Sequence, residues 1–120
     1  MAKILIAEDE KPMANAVKLK LEKNGMEAVI ANNGVEAIEE LKKGDYDLAL
    51  IDIMMPIKDG FGVLEDAKKL GIKTPIIVAS NLSQNDDIQK AKDLGAIDFF
   101  VKSDTPIVDV VEKVKKALGI

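Results

Sequence analysis

Cysteine and histidine are both absent from this 120-residue chain. Without cysteine there are no disulfides, thiolate metal sites or cysteine nucleophiles. Without histidine there is no Ser-His-Asp arrangement, no imidazole ligation of zinc and no general base that titrates near neutrality unaided. Chemistry therefore falls to carboxylates, lysines, hydroxyls, backbone groups or a borrowed cofactor. The net charge is -4, with acids and lysines interspersed and no arginine-rich tract, which gives no support for direct nucleic-acid binding and leaves proteins as the expected partners. No apolar run approaches the roughly 20 residues a membrane span needs. The opening Met1 to Ala7 meets Glu8 and Asp9 too soon to serve as a signal peptide, so a cytoplasmic location away from the membrane is expected. At 48% apolar residues the chain is expected to form one domain over 1–120.

What is present is an alternation of short apolar runs and helical stripes. Lys3–Ala7 reads as a buried strand closed by Glu8-Asp9-Glu10, and Pro12 marks the first turn of a helix whose stripe, Ala14, Val17 and Leu21, runs to Asn24-Gly25. Glu27–Ala31 predicts a second strand, and beyond the turn Asn32-Asn33-Gly34 the residues Val35, Ile38 and Leu41 predict a helix ending near Gly44. The run Leu48-Ala49-Leu50-Ile51 has no polar interruption, as expected of a strand buried on both faces, and it stops at Asp52. Pro56 and Asp59-Gly60 close the loop beyond it. Phe61, Leu64 and Ala67 mark a third helix ended by Gly71, and Ile76–Ala79 a fourth strand closed by Ser80 and Asn81. Asn85–Leu94 reads as a fourth helix, and Asp98–Val101 as a fifth strand closed by Lys102. Thr105 is the expected N-cap of a fifth helix, with Pro106 in its first turn and Ile107, Val110, Val111, Val114 and Leu118 as its inward stripe.

Strand and helix repeated five times predict an α/β fold, a doubly wound five-stranded parallel sheet covered by helices on both faces. Right-handed crossovers then place the carboxyl ends of all strands on one edge, where ligands collect. With the strands ordered 2-1-3-4-5 the first and third are neighbours, and Glu8, Asp9, Asp52, Ser80 and Lys102 gather at that edge. Clustered carboxylates repel unless a cation neutralises them, so the set suggests a Mg2+ pocket with room for a phosphoryl group. Asp52 would act as the oxygen nucleophile on phosphorus, with Lys102 and the Ser80 hydroxyl steadying the phosphoryl oxygens.

Four segments carry a resemblance: I-L-I-A-E-D-E at 4 to 10, D-L-A-L-I-D-I-M-M-P-I-K-D-G at 47 to 60, P-I-I-V-A-S at 75 to 80 and G-A-I-D-F-F-V-K at 95 to 102. Together they resemble the response regulator receiver domain of two-component signalling systems, in a stand-alone, chemotaxis-regulator-like form, over essentially the whole chain. Part of the ground for the flavodoxin-like 2-1-3-4-5 order is this resemblance. It implies Asp52 as phosphoacceptor, Asp9 as a direct Mg2+ ligand, Glu8 as a ligand through water and Met54 as a ligand through its backbone carbonyl. It further implies Ser80 and Lys102 as phosphoryl contacts and Phe99 as a switch aromatic. The phosphodonor would be a histidine kinase or histidine phosphotransfer protein, and output would pass to an unidentified downstream protein. Such a domain catalyses its own phosphorylation and dephosphorylation without being an enzyme in the usual sense.

The chain departs from the family pattern at Ser103, where a proline after a cis bond is usual, and at Asn81, where a small residue is common and a carboxamide would narrow the approach to Asp52. Met54 and Leu82 are apolar where polar residues often help water attack, so slow self-dephosphorylation is expected. Each residue also has a plainer role: Asp9 as a helix N-cap, Asp52 and Ser80 as turn residues, Lys102 as a snorkelling lysine, Phe99 as core. Two other functions fit the fold. An aspartate-dependent phosphohydrolase usually has a second acid where Met54 stands. A flavin carrier would meet repulsion from Glu8-Asp9-Glu10.

Overall fold

A computed structural model of the protein describes residues 1–81 and 85–120. The elements run β1 (Lys3–Ala7), α1 (Lys11–Lys23), β2 (Glu27–Ala31), α2 (Gly34–Leu41), β3 (Leu48–Asp52), α3 (Gly60–Lys69), β4 (Ile76–Ser80), α4 (Asn85–Asp93), β5 (Asp98–Val101) and α5 (Ile107–Leu118), with a 3-10 turn over Lys102–Asp104. All four strand pairings are parallel and the order is β2-β1-β3-β4-β5, as expected from the sequence.

Side chains alternate across the sheet because strand residues alternate faces. Leu5, Ala49, Ile51 and Val78 pack with α2, α3 and the buried Ala91 of α4; Ile4, Ile6, Leu50 and Ile77 pack on the other face with α1 and α5. Every residue of β3 is buried, which is why its sequence shows no polar alternation. Asp52, the last of the five, is thus carried to the sheet edge on a strand that apolar packing holds on both sides.

Two local expectations are corrected. The buried stripe of α2 is Gly34, Ala37, Ile38 and Leu41, spaced i, i+3, i+4, i+7, and Val35 lies one residue off that phase with 42% exposure. The hydroxyl of Thr105 does not cap α5 but donates to the Val101 carbonyl at 2.8 Å, closing the turn that follows β5, and α5 begins after Pro106. No peptide bond among the described residues is cis, so the chain passes from Lys102 to Ser103 in the trans form.

Close backbone approach explains two glycines. The Gly34 N–H donates to the Lys58 carbonyl at 3.1 Å, and a Cβ at Gly34 would lie 2.2 Å from that oxygen. The Gly60 N–H donates to the Ile53 carbonyl at 2.8 Å, and a Cβ there would lie 2.6 Å from the Asp52 carbonyl oxygen. Between them the Lys58 N–H donates to the Pro56 carbonyl at 2.7 Å, which places Ile57 at φ 71°, uncommon for a β-branched residue. The loop after β3 is thus pinned at both ends against neighbouring backbone.

Candidate functional site

The carboxyl ends of β1, β3, β4 and β5 meet at one edge of the sheet. In register, Asp52 of β3 lies beside Ala79, and Ser80 of β4 beside Val101. Those pairings bring Lys102, the residue after β5, across to the acids. Its ammonium lies 2.5 Å from Glu8 Oε1, 3.2 Å from Asp52 Oδ2 and 3.2 Å from Glu10 Oε1. The side chains of Lys102, Glu8 and Asp52 are 7%, 6% and 5% exposed, whereas Glu10 stands in solvent.

Electrostatics follow from that burial. Removal from water pushes the Glu8 carboxyl up to about 7, assisted by the neighbouring Asp52 and opposed by the hydrogen bond from Lys102. Burial also disfavours the charge on Lys102, but the hydrogen bond to Glu8 and the negative field of Asp52 outweigh it and hold the ammonium above the ordinary lysine range. The Glu10 N–H donates to Glu8 Oε2 at 3.2 Å, and the Met54 N–H approaches Asp52 Oδ1 at 3.4 Å. Both carboxylates are therefore oriented by backbone as well as by the lysine.

An open cleft of about 710 Å³ leads to Asp52 from solvent, with Asp9, Glu10, Met54, Asn81, Phe61 and Lys102 among its walls. Glu8, Glu10 and Asp52 offer carboxylate oxygens within 4.8 Å of one another. Three oxygen donors gathered round an ammonium already satisfy one cation, and hard oxygens are the donors a divalent ion such as Mg2+ takes.

The residues singled out in the sequence divide as follows. Glu8, Asp52 and Lys102 converge directly. Asp9 is exposed and lines the cleft, outside the group of three converging acids. Met54 is 63% exposed on the cleft wall, and Ser80 is fully buried at the end of β4. Asn81 lines the cleft, and its Oδ1 accepts from the Ser103 N–H at 3.1 Å. Phe99 is half-buried against the apolar layer on the α3 and α4 face. Leu82 lies outside the described residues. Glu10 was not singled out. It joins the group past the bend at Asp9, its N–H donating to Glu8 and its carboxylate meeting Lys102. Phe61 also went unremarked as a cleft residue; the Lys90 ammonium of α4 sits 4.4 Å from its ring centre.

Fold and site together define a class: doubly wound α/β proteins that hold carboxylates and a lysine at the switch point of a parallel sheet. Within it, residues 4–115 match the family described as the response regulator receiver domain, and the chain belongs to that family. It is 39% identical over 101 residues to chemotaxis protein CheY of Bacillus subtilis, covering 83% of this chain and 84% of that protein. It is 38% identical over 100 residues to transcriptional regulatory protein DltR of Streptococcus agalactiae, covering 83% of this chain and 45% of that protein. The chain thus spans about half the length of such longer relatives. Among solved structures, the receiver domain of Francisella response regulator 1452 superposes with a TM-score of 0.93 at 31% identity, covering 99% of this chain and 98% of that one.

Proposed function

We propose that Asp52 is the phosphoacceptor of a two-component or phosphorelay pathway, charged by a phosphohistidine of a partner histidine kinase or phosphotransfer protein. The observation that carries this reading is the Lys102 ammonium, held 3.2 Å from Asp52 at the floor of an open cleft. Asp52 Oδ attacks phosphorus along the cleft. The P–N bond to the donor imidazole breaks, its electron pair stays on nitrogen, and an acyl phosphate forms on the aspartate. Lys102 neutralises the phosphoryl oxygens as they pass, Met54 lines the same cleft, and the buried Ser80 hydroxyl at the end of β4 is the further candidate to donate to one of them. Mg2+ would be held by Asp52 with Glu8, Glu10 or Asp9 and would supply further charge neutralisation at the phosphoryl group. The added negative charge at Asp52 then biases the domain toward a second arrangement, Phe99 being the candidate side chain to move, and contacts with a downstream protein change.

Incubation with a small phosphoramidate or acyl phosphate tests the reading. One phosphoryl group per chain should be retained and discharged by hydroxylamine, as an acyl phosphate is. Continuous release of phosphate over many turnovers from a chain that retains none would instead support the phosphohydrolase.

A pH dependence follows from Glu8. Between the ordinary carboxylate value and about 7 the folded, metal-free protein binds a proton that the unfolded chain does not. Its stability therefore falls as pH rises through that window. Mg2+ and this proton compete, so apparent Mg2+ affinity should weaken by up to about tenfold per pH unit below 7 and level off above it. Calorimetric titration with Mg2+ across this range checks the slope; an affinity independent of pH would remove Glu8 from the metal site.

A further inference from the structure

Asn81 and Ser103 are two of the positions beside the site where the chain departs from its family's pattern, and the structure joins them. The backbone ladder between β4 and β5 ends at the Ser80–Val101 pair. One residue further on, the Asn81 carboxamide makes the next rung with its side chain, accepting from the Ser103 N–H at 3.1 Å. That N–H exists because residue 103 is not proline. Lys102 stands between the last backbone rung and this one. On the far side of the turn, the Thr105 hydroxyl donates to the Val101 carbonyl at 2.8 Å. The segment that carries the lysine is therefore tied on both sides of its own position.

We propose that Asn81 is a positioning residue for phosphoryl transfer. Its Oδ1 straps the loop after β5 to the end of β4 and so sets where the Lys102 ammonium lies over Asp52. The ammonium contacts Glu8, Glu10 and Asp52 at once, a geometry that a small displacement of its backbone would break. Free of the strap, the segment keeps only the Thr105 tie on its far side, and the lysine is held over the acids mainly by charge, which is far less directional than a backbone tethered on both sides. The inference rests on the phosphoacceptor reading, because it assigns Lys102 to the phosphoryl group. It differs from a simple gate: a gate acts through the bulk of Asn81 in the cleft, a strap through its acceptor atom.

Asn81→Leu keeps the bulk and loses the acceptor, whereas Asn81→Ala loses both. Under the strap, both variants lower the maximal rate of phosphorylation by a small donor about tenfold and leave the half-saturating donor concentration unchanged. In a Lys102→Met background neither substitution should lower the rate further, since the residue they position is gone. A faster Asn81→Ala beside an unchanged Asn81→Leu would overturn the proposal in favour of a gate. Equal losses with and without Lys102 would overturn it in favour of a purely structural role. Hydrogen exchange at the Ser103 amide gives a readout independent of phosphorylation: it should be slow in the wild type and at least about tenfold faster in Asn81→Leu. Equal exchange in the two proteins would overturn the strap, whereas a wild type that takes up no phosphoryl group at all would overturn the phosphoacceptor reading.

Discussion

Lys102→Met should lower the stability of the metal-free protein by about 3 kcal/mol near pH 8 and slow phosphoryl uptake by about a hundredfold or more. Methionine retains most of the apolar stem and deletes the ammonium, so the loss reports charge more than packing. Glu8 and Asp52, both nearly enclosed, would then face each other with no cation between them. Glu8 would respond by holding its proton to still higher pH. Its folded-state pKa already lies above the unfolded value, so its contribution is fully favourable at low pH and is lost as pH rises through the folded pKa. The deficit in the variant should accordingly be small near pH 5 and clearly larger near pH 8. Urea denaturation in chelator at the two pH values measures it, and an equal loss at both would mean that the lysine contributes packing and not charge.

Gly60→Ala should cost about 3 kcal/mol, or about 10 °C in melting temperature, and slow phosphoryl uptake severalfold to about a hundredfold. The added methyl would lie 2.6 Å from the Asp52 carbonyl oxygen and 2.8 Å from the Ile53 Cα, both backbone atoms at the strand end that presents Asp52. Relief requires either α3 or the end of β3 to move. Gly62→Ala is the internal comparison. Its nearest neighbour, at 2.9 Å, is a carbon of the flexible Lys58 side chain, and alanine favours the helix, so its effect on both readouts should be small. Matched effects at the two glycines would contradict a coupling between the α3 start and Asp52.

The layout of the sheet was legible because its signals are local and periodic: five apolar runs, each closed by polar residues, separated by helical stripes. Asp52 was legible for a related reason, since an acid that ends a strand buried on both faces has few roles. Less legible were features that depend on register. The phase of α2 was misjudged at Val35 because spacing by three alone does not separate a stripe from its neighbours. Thr105 looked like an N-cap, but its hydroxyl serves a carbonyl four residues earlier, a choice made by the turn after β5. Glu10 was overlooked within a run of three acids, because the bend at Asp9 and the reach of Lys102 decide which of them converge. The Asn81–Ser103 bond joins residues 22 apart in the chain, and no periodicity links them. The sequence marked both positions as departures and gave no sign that one accepts from the other.

The cleft is proposed to deliver a phosphoryl group to one carboxylate, Asp52. Intact mass after incubation with a small phosphodonor and Mg2+, for the wild type and Asp52→Asn side by side, tests it most directly. A single added phosphoryl mass is expected on the wild type, lost in chelator, and none on Asp52→Asn under the same conditions. Equal phosphorylation of Asp52→Asn, or none on the wild type at saturating donor and Mg2+, would contradict it.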